Sequence, residues 1–282
     1  MTRRTIAREI SATGIALHCG KPIRMTLSPA APGTGVVFRR ADLGGREIAA
    51  RYDKVSETRL GTVIAEGDTS VGVIEHLMAA VAGLGIDDLV VELDGPEPPI
   101  LDGDAASYAA LLDEAGIVER HTPAKAIEVR QPVTVGEGAV TASLQPFPER
   151  IFDFEIVFDT PAIGRQHYAW TCSPQSFRRD IAPARTFGFL KDQEALNKMG
   201  LALGANLENT LVIDRDQVVN AALMRFPDEF VRHKILDALG DMALAGAPLI
   251  GRFEGRRSSH ALNNALLRKL FADPANWREI AS

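Results

Sequence analysis

The sequence predicts an α+β fold built as two similar domains. Three observations lead there. Short runs of alternating apolar and polar residues, the pattern of half-buried strands, fill residues 5–65 and recur over 125–172. Each set is followed by a helical stretch, one strand and a closing helix, so the order sheet, helix, strand, helix occurs twice. A length of 282 residues leaves room for two domains of ordinary size. No residue-by-residue repeat accompanies the repeated order.

Taken in order, the first strands are Ile6-Ala7-Arg8-Glu9-Ile10, Ile23-Arg24-Met25-Thr26-Leu27 and Val36-Val37-Phe38, with breaks at Pro22, Pro29, Pro32 and Gly33. The Ala-rich apolar stretch from Glu75 to Gly83 predicts a short helix. Leu89-Val90-Val91-Glu92-Leu93 predicts a strand that runs into a Gly/Pro/Asp loop at 94–103. Residues 104–115 predict a helix closed by Gly116. The domains are expected to join near His121-Thr122-Pro123, giving 1–122 and 123–282. In the second domain Ile127-Glu128-Val129 and the run Phe152 to Phe158 are the clearest strands. A long helix is expected at about 227–246, a strand at Leu249-Ile250-Gly251-Arg252-Phe253, and a closing helix at 260–272. Residues 187–213 interrupt this copy with Leu190, Leu196, Met199, Leu201, Leu203, Leu207 and Leu211. They read either as an ordinary core-filling helix and turn or as an insert that builds an apolar passage.

Composition narrows the function classes. The chain is 46% hydrophobic and 24% charged, as in globular proteins. A formal net charge of −6 argues against general nucleic-acid binding. Cys19 and Cys172 have no close-spaced partner, which fits a reduced cytosolic protein and excludes a thiolate-rich zinc site. No apolar run follows Met1-Thr2-Arg3-Arg4, and no run of about 18 apolar residues occurs, so neither a signal peptide nor a membrane span is expected.

The long helix carries the chemistry. His233, Asp237 and Asp241 recur every four residues, each about 40° around from the last, and so share one face. An exposed pair of this kind is ordinary and is worth about 0.2–0.5 kcal/mol. Here Phe230, Val231, Ile235, Leu236, Leu239, Met242 and Leu244 make the rest of the helix apolar, so a buried helix is expected. A polar stripe on a buried helix needs partners. A divalent metal is one, held by an imidazole and a carboxylate while the third group supports them. Glu75-His76 opens the first domain's helix and His260 opens the closing helix. Each is weak evidence alone, and the metalloprotease pattern HExxH is absent. His18, His121 and His167 fall in strand ends or loops and are read as structural.

Longer strings carry a family resemblance. They include Ile10-Ser11-Ala12-Thr13-Gly14-Ile15-Ala16-Leu17-His18, Ile74-Glu75-His76-Leu77-Met78-Ala79-Ala80, Gly83-Leu84-Gly85-Ile86-Asp87, Asp94-Gly95-Pro96-Glu97 and Ala184-Arg185-Thr186-Phe187-Gly188-Phe189. The run Phe226 to Asp237 and His260-Ala261-Leu262-Asn263-Asn264 complete the set. Over nearly its whole length the chain resembles the UDP-3-O-acyl-N-acetylglucosamine deacetylase family, zinc amidases of lipid A synthesis. The resemblance implies two domains, each a β-sheet layer packed on a helix layer, with the active site between them. It implies Zn2+ held by His76, His233 and Asp237, with Glu75 as general base and His260 as second catalytic group. It implies Asp241 as the group that orients His260, Lys234 and Thr186 as aids to the water and the oxyanion, and 187–213 as an acyl-chain passage. Phe187 and Arg257 are the expected substrate contacts, with Arg257 and Lys234 toward the diphosphate. The expected partner is an acylated UDP-amino-sugar, handled by a cytoplasmic monomer with at most transient contact with a membrane surface. Two other readings stay open: a zinc amidase for another acetylated amino sugar, and a non-catalytic nucleotide-sugar binder.

The chain departs from the family pattern at Ser259, Ala205-Asn206, Thr160 and Gln145, where glycine, a glycine-rich lid, histidine and lysine are usual. Ser259 is expected to crowd its surroundings, and Ala205 to be strained if its φ is positive.

Overall fold

The computed structural model describes residues 2–281. Among them are the helices α1 Glu75–Leu84, α2 Ala106–Ala115, α3 Pro174–Ser176, α4 Gln193–Lys198, α5 Glu229–Ala243 and α6 His260–Ala272. The α+β class holds: five sheets pack with these helices.

The first large sheet has the order Ile10–Ile15, Pro22–Pro29, Leu89–Leu93, Val36–Arg40, Arg46–Ala49. Leu89–Leu93 sits at its centre, antiparallel to Pro22–Pro29 and parallel to Val36–Arg40. Alternation puts Met25, Leu27, Phe38 and Val91 inward, where they share one core with Leu77, Met78 and Leu84 of α1. In the second large sheet Leu249–Arg256 is the hub. It runs antiparallel to Val140–Gln145 and parallel to Arg150–Val157, and its first residues pair in parallel with Lys125–Val129. Phe152, Phe154 and Phe253 face inward from these strands and pack ring against ring.

Several expected boundaries move. The run Ile6 to Ile10 is not one strand. Thr2–Ile6 pairs with Ile117–Pro123, and a second strand, Ile10–Ile15, starts in a different sheet. Between them Ala7 N and Arg8 N donate to Gly116 O and Ala115 O, so the alternating run conceals a crossing from one sheet to another. The expected joint at His121-Thr122-Pro123 is the end of the strand Ile117–Pro123. The helix expected from 104 starts at Ala106, because Asp104 Oδ1 accepts from Ser107 N and Oγ just ahead of it. The helix expected over 227–246 is Glu229–Ala243; Leu244, Ala245 and Gly246 close it with tight bonds three residues back. The strand Trp277–Ala281, which completes an edge beside Lys125–Val129, was not expected.

Residues 187–213 fill the core only at their ends, through Leu211 and Ile213, with Phe187 and Phe189 packed against it. Phe187–Phe189 pairs in parallel with Leu211–Asp214, and the segment between them leaves Leu190, Met199, Leu203 and Leu207 exposed. Ala205 is not among the residues with positive φ; the left-handed position falls at Ala202 (φ 54°). Ser259 has an extended backbone and caps α6, its Oγ accepting from Leu262 N.

α1 and α5 cross at a glycine. A Cβ on Gly240 would lie 2.0 Å from Glu75 O and 3.0 Å from Glu75 Cα. Both are backbone atoms at the first residue of α1, so neither can swing aside. In a free helix Gly→Ala adds up to about 1 kcal/mol of stability. Here overpacking reverses the sign: Gly240→Ala is expected to destabilise the protein by about 1–3 kcal/mol in urea denaturation. A midpoint equal to or above that of the parent chain would mean that the helices do not meet at this point.

Candidate active site

The chain enters α1 through Val73, whose φ of 53° is rare for a β-branched residue. Strain of this kind persists where the surroundings over-determine it. The helix that follows starts with Glu75 and His76, both buried against α5.

His76, His233 and Asp237 each offer one ligand atom, and these atoms lie within 4.8 Å of one another. Asp237 Oδ1 is 3.4 Å from His233 Nε2 and 3.7 Å from His76 Nε2. The two rings meet edge to face at 4.9 Å. His233 Nδ1 donates to Ala184 O (3.0 Å), which leaves Nε2 as the nitrogen with a lone pair. Burial lowers the His76 imidazole to about 3 and also lowers His233, so both rings are neutral at pH 7, the form that binds metal. Burial alone would raise Asp237, but the Lys234 ammonium and the neighbouring imidazoles outweigh it and hold the carboxyl well below its ordinary value. Lys234 Nζ donates to Asp237 Oδ2 at 2.6 Å and leaves Oδ1 facing the imidazoles. Two neutral imidazoles and a carboxylate thus converge, with no hydrogen bond among the three. His76 Nδ1 is buried with no hydrogen-bond partner among the described residues. A set of two nitrogens and one oxygen fits a divalent cation of the zinc or ferrous type.

Beside this group lies an acid–base pair. Glu75 Oε2 accepts from Thr62 N (2.9 Å), and Oε1 is 4.0 Å from His260 Nε2. Burial pushes the Glu75 carboxyl up to about 7, only partly offset by His260. For His260 burial acts downward, but the Asp241 carboxylate, by charge and by hydrogen bond, outweighs it and raises the ring to about 9. His260 Nδ1 donates to Asp241 Oδ2 at 2.8 Å. Asn263 Nδ2 donates to the same oxygen at 2.8 Å, and Thr62 Oγ1 donates to Oδ1 at 2.6 Å.

The remaining expected residues are placed as follows. Thr186 follows the buried pair Arg185–Glu229 (3.1 Å), which ties this segment to the first turn of α5, and its backbone N donates to Gly103 O. The Phe187 ring stands edge-on to His233 at 6.3 Å, with Lys234 Nζ 5.7 Å from its centre. Arg257 is not gathered in. It is exposed, with φ 52°, and its backbone N donates to Glu155 O. Thr160 Oγ1 donates to Arg215 O, and Gln145 Nε2 to Ser143 Oγ.

Two contributors escaped the sequence reading. Asn263 carried a signal, since it lies one turn after His260 on α6. Thr62 carried none: it sits in a loop 179 residues from Asp241, yet its N–H holds Glu75 and its hydroxyl holds Asp241.

A cation-seeking His/His/Asp group flanked by a buried carboxylate and a carboxylate-oriented imidazole defines a metal-dependent hydrolase. Residues 3–272 match the family described as UDP-3-O-acyl N-acetylglycosamine deacetylase, a family of metal-dependent amidohydrolases, and the chain belongs to it. It is 44% identical over 278 residues to the UDP-3-O-acyl-N-acetylglucosamine deacetylase of Anaeromyxobacter sp. (strain Fw109-5), covering 99% of this chain and 91% of the relative. It is 46% identical over 274 residues to the enzyme of that name from Myxococcus xanthus, covering 97% and 87%. The Pseudomonas entomophila enzyme of that name is 46% identical over 281 residues, covering 99% and 93%.

Thr62→Val removes the hydroxyl and keeps the backbone N–H. It leaves a buried Asp241 oxygen without its donor, so a loss of about 1–3 kcal/mol is expected in chemical denaturation, with Thr62→Ser close to the parent. Equal stability of the valine variant would show that Asp241 finds another donor.

Proposed function

We propose that this chain hydrolyses the N-acetyl group of UDP-3-O-acyl-N-acetylglucosamine, giving acetate and UDP-3-O-acyl-glucosamine, in lipid A biosynthesis. The observation that carries this reading is that Glu75, next in the chain to His76, lies 4.0 Å from a His260 held by Asp241, a turn along α5 from Asp237, in a chain of this family. An intact proton acceptor and donor favour a catalyst over a nucleotide-sugar binder.

His76, His233 and Asp237 would hold the metal; the donor set suits zinc or ferrous iron, and we take zinc, the ion that the family resemblance implies. When bound, such an ion lowers the pKa of a water toward about 7 and polarises a carbonyl. Glu75 takes the proton of the attacking water, a role suited to a carboxyl held near neutrality by burial. The Thr186 hydroxyl, with Lys234 nearby, supports the charge that grows on the acetyl oxygen. His260, kept protonated by Asp241, gives its Nε2 proton to the sugar nitrogen as the C–N bond breaks. We assign Phe187 to the wall beside the sugar and the exposed Arg257, outside the metal group, to the diphosphate; Lys234, bonded to Asp237, stays at the metal group. The exposed Leu190, Met199, Leu203 and Leu207 take the acyl chain. We divide the chain into 1–122, carrying Glu75 and His76, and 123–282, carrying His233, Asp237, Asp241 and His260. Among the described residues no helix is long and apolar enough to cross a membrane. Free Cys19 and Cys172 suit the cytoplasm, where we place the reaction.

One paired experiment separates ligand from base. Glu75→Gln is expected to lower turnover by about 10²–10⁴-fold while elemental analysis still finds one zinc per chain. His233→Ala is expected to lose the zinc. Near-parental turnover in Glu75→Gln overturns the base assignment, and full zinc in His233→Ala overturns the ligand assignment.

The rate should depend on pH as a bell. Glu75 works deprotonated, so kcat rises with pH through its pKa, about 7; His260 works protonated, so kcat falls as pH passes its pKa, about 9. A bound cation favours the carboxylate and disfavours the imidazolium, so both limbs lie at or below these values. A rate that climbs without a falling limb up to pH 10 would exclude a protonated His260 from the rate-limiting step.

A further inference from the structure

A cavity of about 310 Å³ opens between the two halves at the C-terminal ends of α1 and α5. It is separate from the site above. The ten residues of α1 rise about 15 Å from Glu75 toward it. Its size falls at the lower end of the ~300–1,000 Å³ typical of small-molecule sites. Met78, Val81, Ile86, Phe152 and Met242 give it an apolar wall, and alanines and glycines, among them Ala82 and Ala247, leave the space open.

Its polar groups are unbalanced. Arg4 and Arg150 line it, with Asp87 as the one acid. The Asp87 carboxylate already accepts Arg4 N at 2.7 Å, and Arg4 Nη1 donates to Leu84 O at 2.9 Å. Arg150 Nε is buried and has no hydrogen-bond partner among the described residues. Arg120 Nε and Arg252 Nε likewise lack a hydrogen-bond partner, but of the three only Arg150 lines this cavity, and a dry structural void would have apolar walls throughout. The carbonyls at the two helix ends do not repel an anion strongly here. In α1 the carbonyls of Val81, Ala82 and Leu84 accept from Ile86 N, Gly85 N and Arg4 Nη1, and in α5 those of Asp241, Met242 and Ala243 accept from Leu244 N, Ala245 N and Gly246 N.

We propose that this cavity binds an anionic amphiphile of the fatty-acid class. The carboxylate takes the Arg150 guanidinium in a forked, charge-assisted pair, and the chain lies among Met78, Val81, Phe152 and Met242. The occupant touches both halves, at the opposite end of the helix pair that carries Glu75, His76, His233 and Asp237. This site goes beyond the deacetylase reading and does not depend on it.

The test is calorimetric titration of the zinc-loaded protein with decanoate below its micelle-forming concentration. Saturable binding of one molecule is expected, weakened at least ten-fold by Arg150→Met, which removes the charge, and by Ala82→Phe, which fills the cavity. Turnover without decanoate stays at the parental level in Arg150→Met. Arg150 lies at the start of a strand and is only half-buried, so this variant carries the test if Ala82→Phe does not fold. No saturable binding to the parent overturns the proposal. So does binding that survives Arg150→Met, or binding that acylated substrate displaces, since that chain would occupy the exposed apolar segment near the active site.

Discussion

The close crossing of α1 and α5 at Gly240 is the constraint on which the site depends. Packed helices usually stand 8–10 Å apart, a spacing set by the side chains at the contact. With no side chain on Gly240, the backbone of Glu75 rests directly on α5. Aspartate is short, and an imidazole on another helix can reach the same point only if the two backbones are close. The 3.7 Å from His76 Nε2 to Asp237 Oδ1 is a consequence of that approach. Gly83 repeats the device on another face of α1, where a Cβ would lie 2.4 Å from the Phe177 ring. α1 is thus clamped between α5 and the segment after α3 by two positions that admit no larger residue.

Within this clamp three acidic residues at one centre have different chemistry because their partners differ. Burial acts upward on both Glu75 and Asp237. Asp237 is offset by the Lys234 ammonium at 2.6 Å and by the charged His260 ring, and stays ionised, the state that holding a cation would require. Glu75 has one backbone N–H and a more distant imidazole, and its pKa stays at about 7, which suits the base role proposed for it. Asp241 is saturated by Thr62, Asn263 and His260, which leaves it the task of fixing the ring. Separating the carboxylates in this way requires groups from a loop, from α5 and from α6 at once.

What the sequence revealed follows the range of its patterns. The polar stripe on α5 and the helix starts at Glu75 and His260 were readable, because periodicity and apolar composition are properties of one element. The family strings then joined those elements into one centre, which spacing alone could not do. Thr62 stayed hidden because its partners, Glu75 and Asp241, lie on other elements and nothing around residue 62 hints at either. The run Ile6 to Ile10 misled for the opposite reason: alternation is blind to which sheet a strand joins, and here it continued across a change of sheet. Ser259 looked like an intrusion on a glycine position, yet in an extended cap its Cβ meets no conformational penalty and its hydroxyl serves an orphan N–H of α6.

The segment 187–213 joins the polar centre to an apolar surface, and its attachments show how one substrate can meet both. Its start is fixed to α5 through Arg185 and Glu229. Its far loop is fixed to the first half, where His18 Nδ1 accepts from Ala202 N while His18 Nε2 donates to Leu60 O, two residues before Thr62. His18, read from sequence as structural, therefore ties the segment to the loop that holds Glu75. Between these polar anchors the leucines and methionine stand exposed, an arrangement that water alone does not favour. An amphiphilic substrate resolves the conflict. In the proposed reaction its acyl chain would cover the apolar surface while its acetamido group lay at the His76/His233/Asp237 group, with the anchors at Arg185 and His18 fixing the distance between the two.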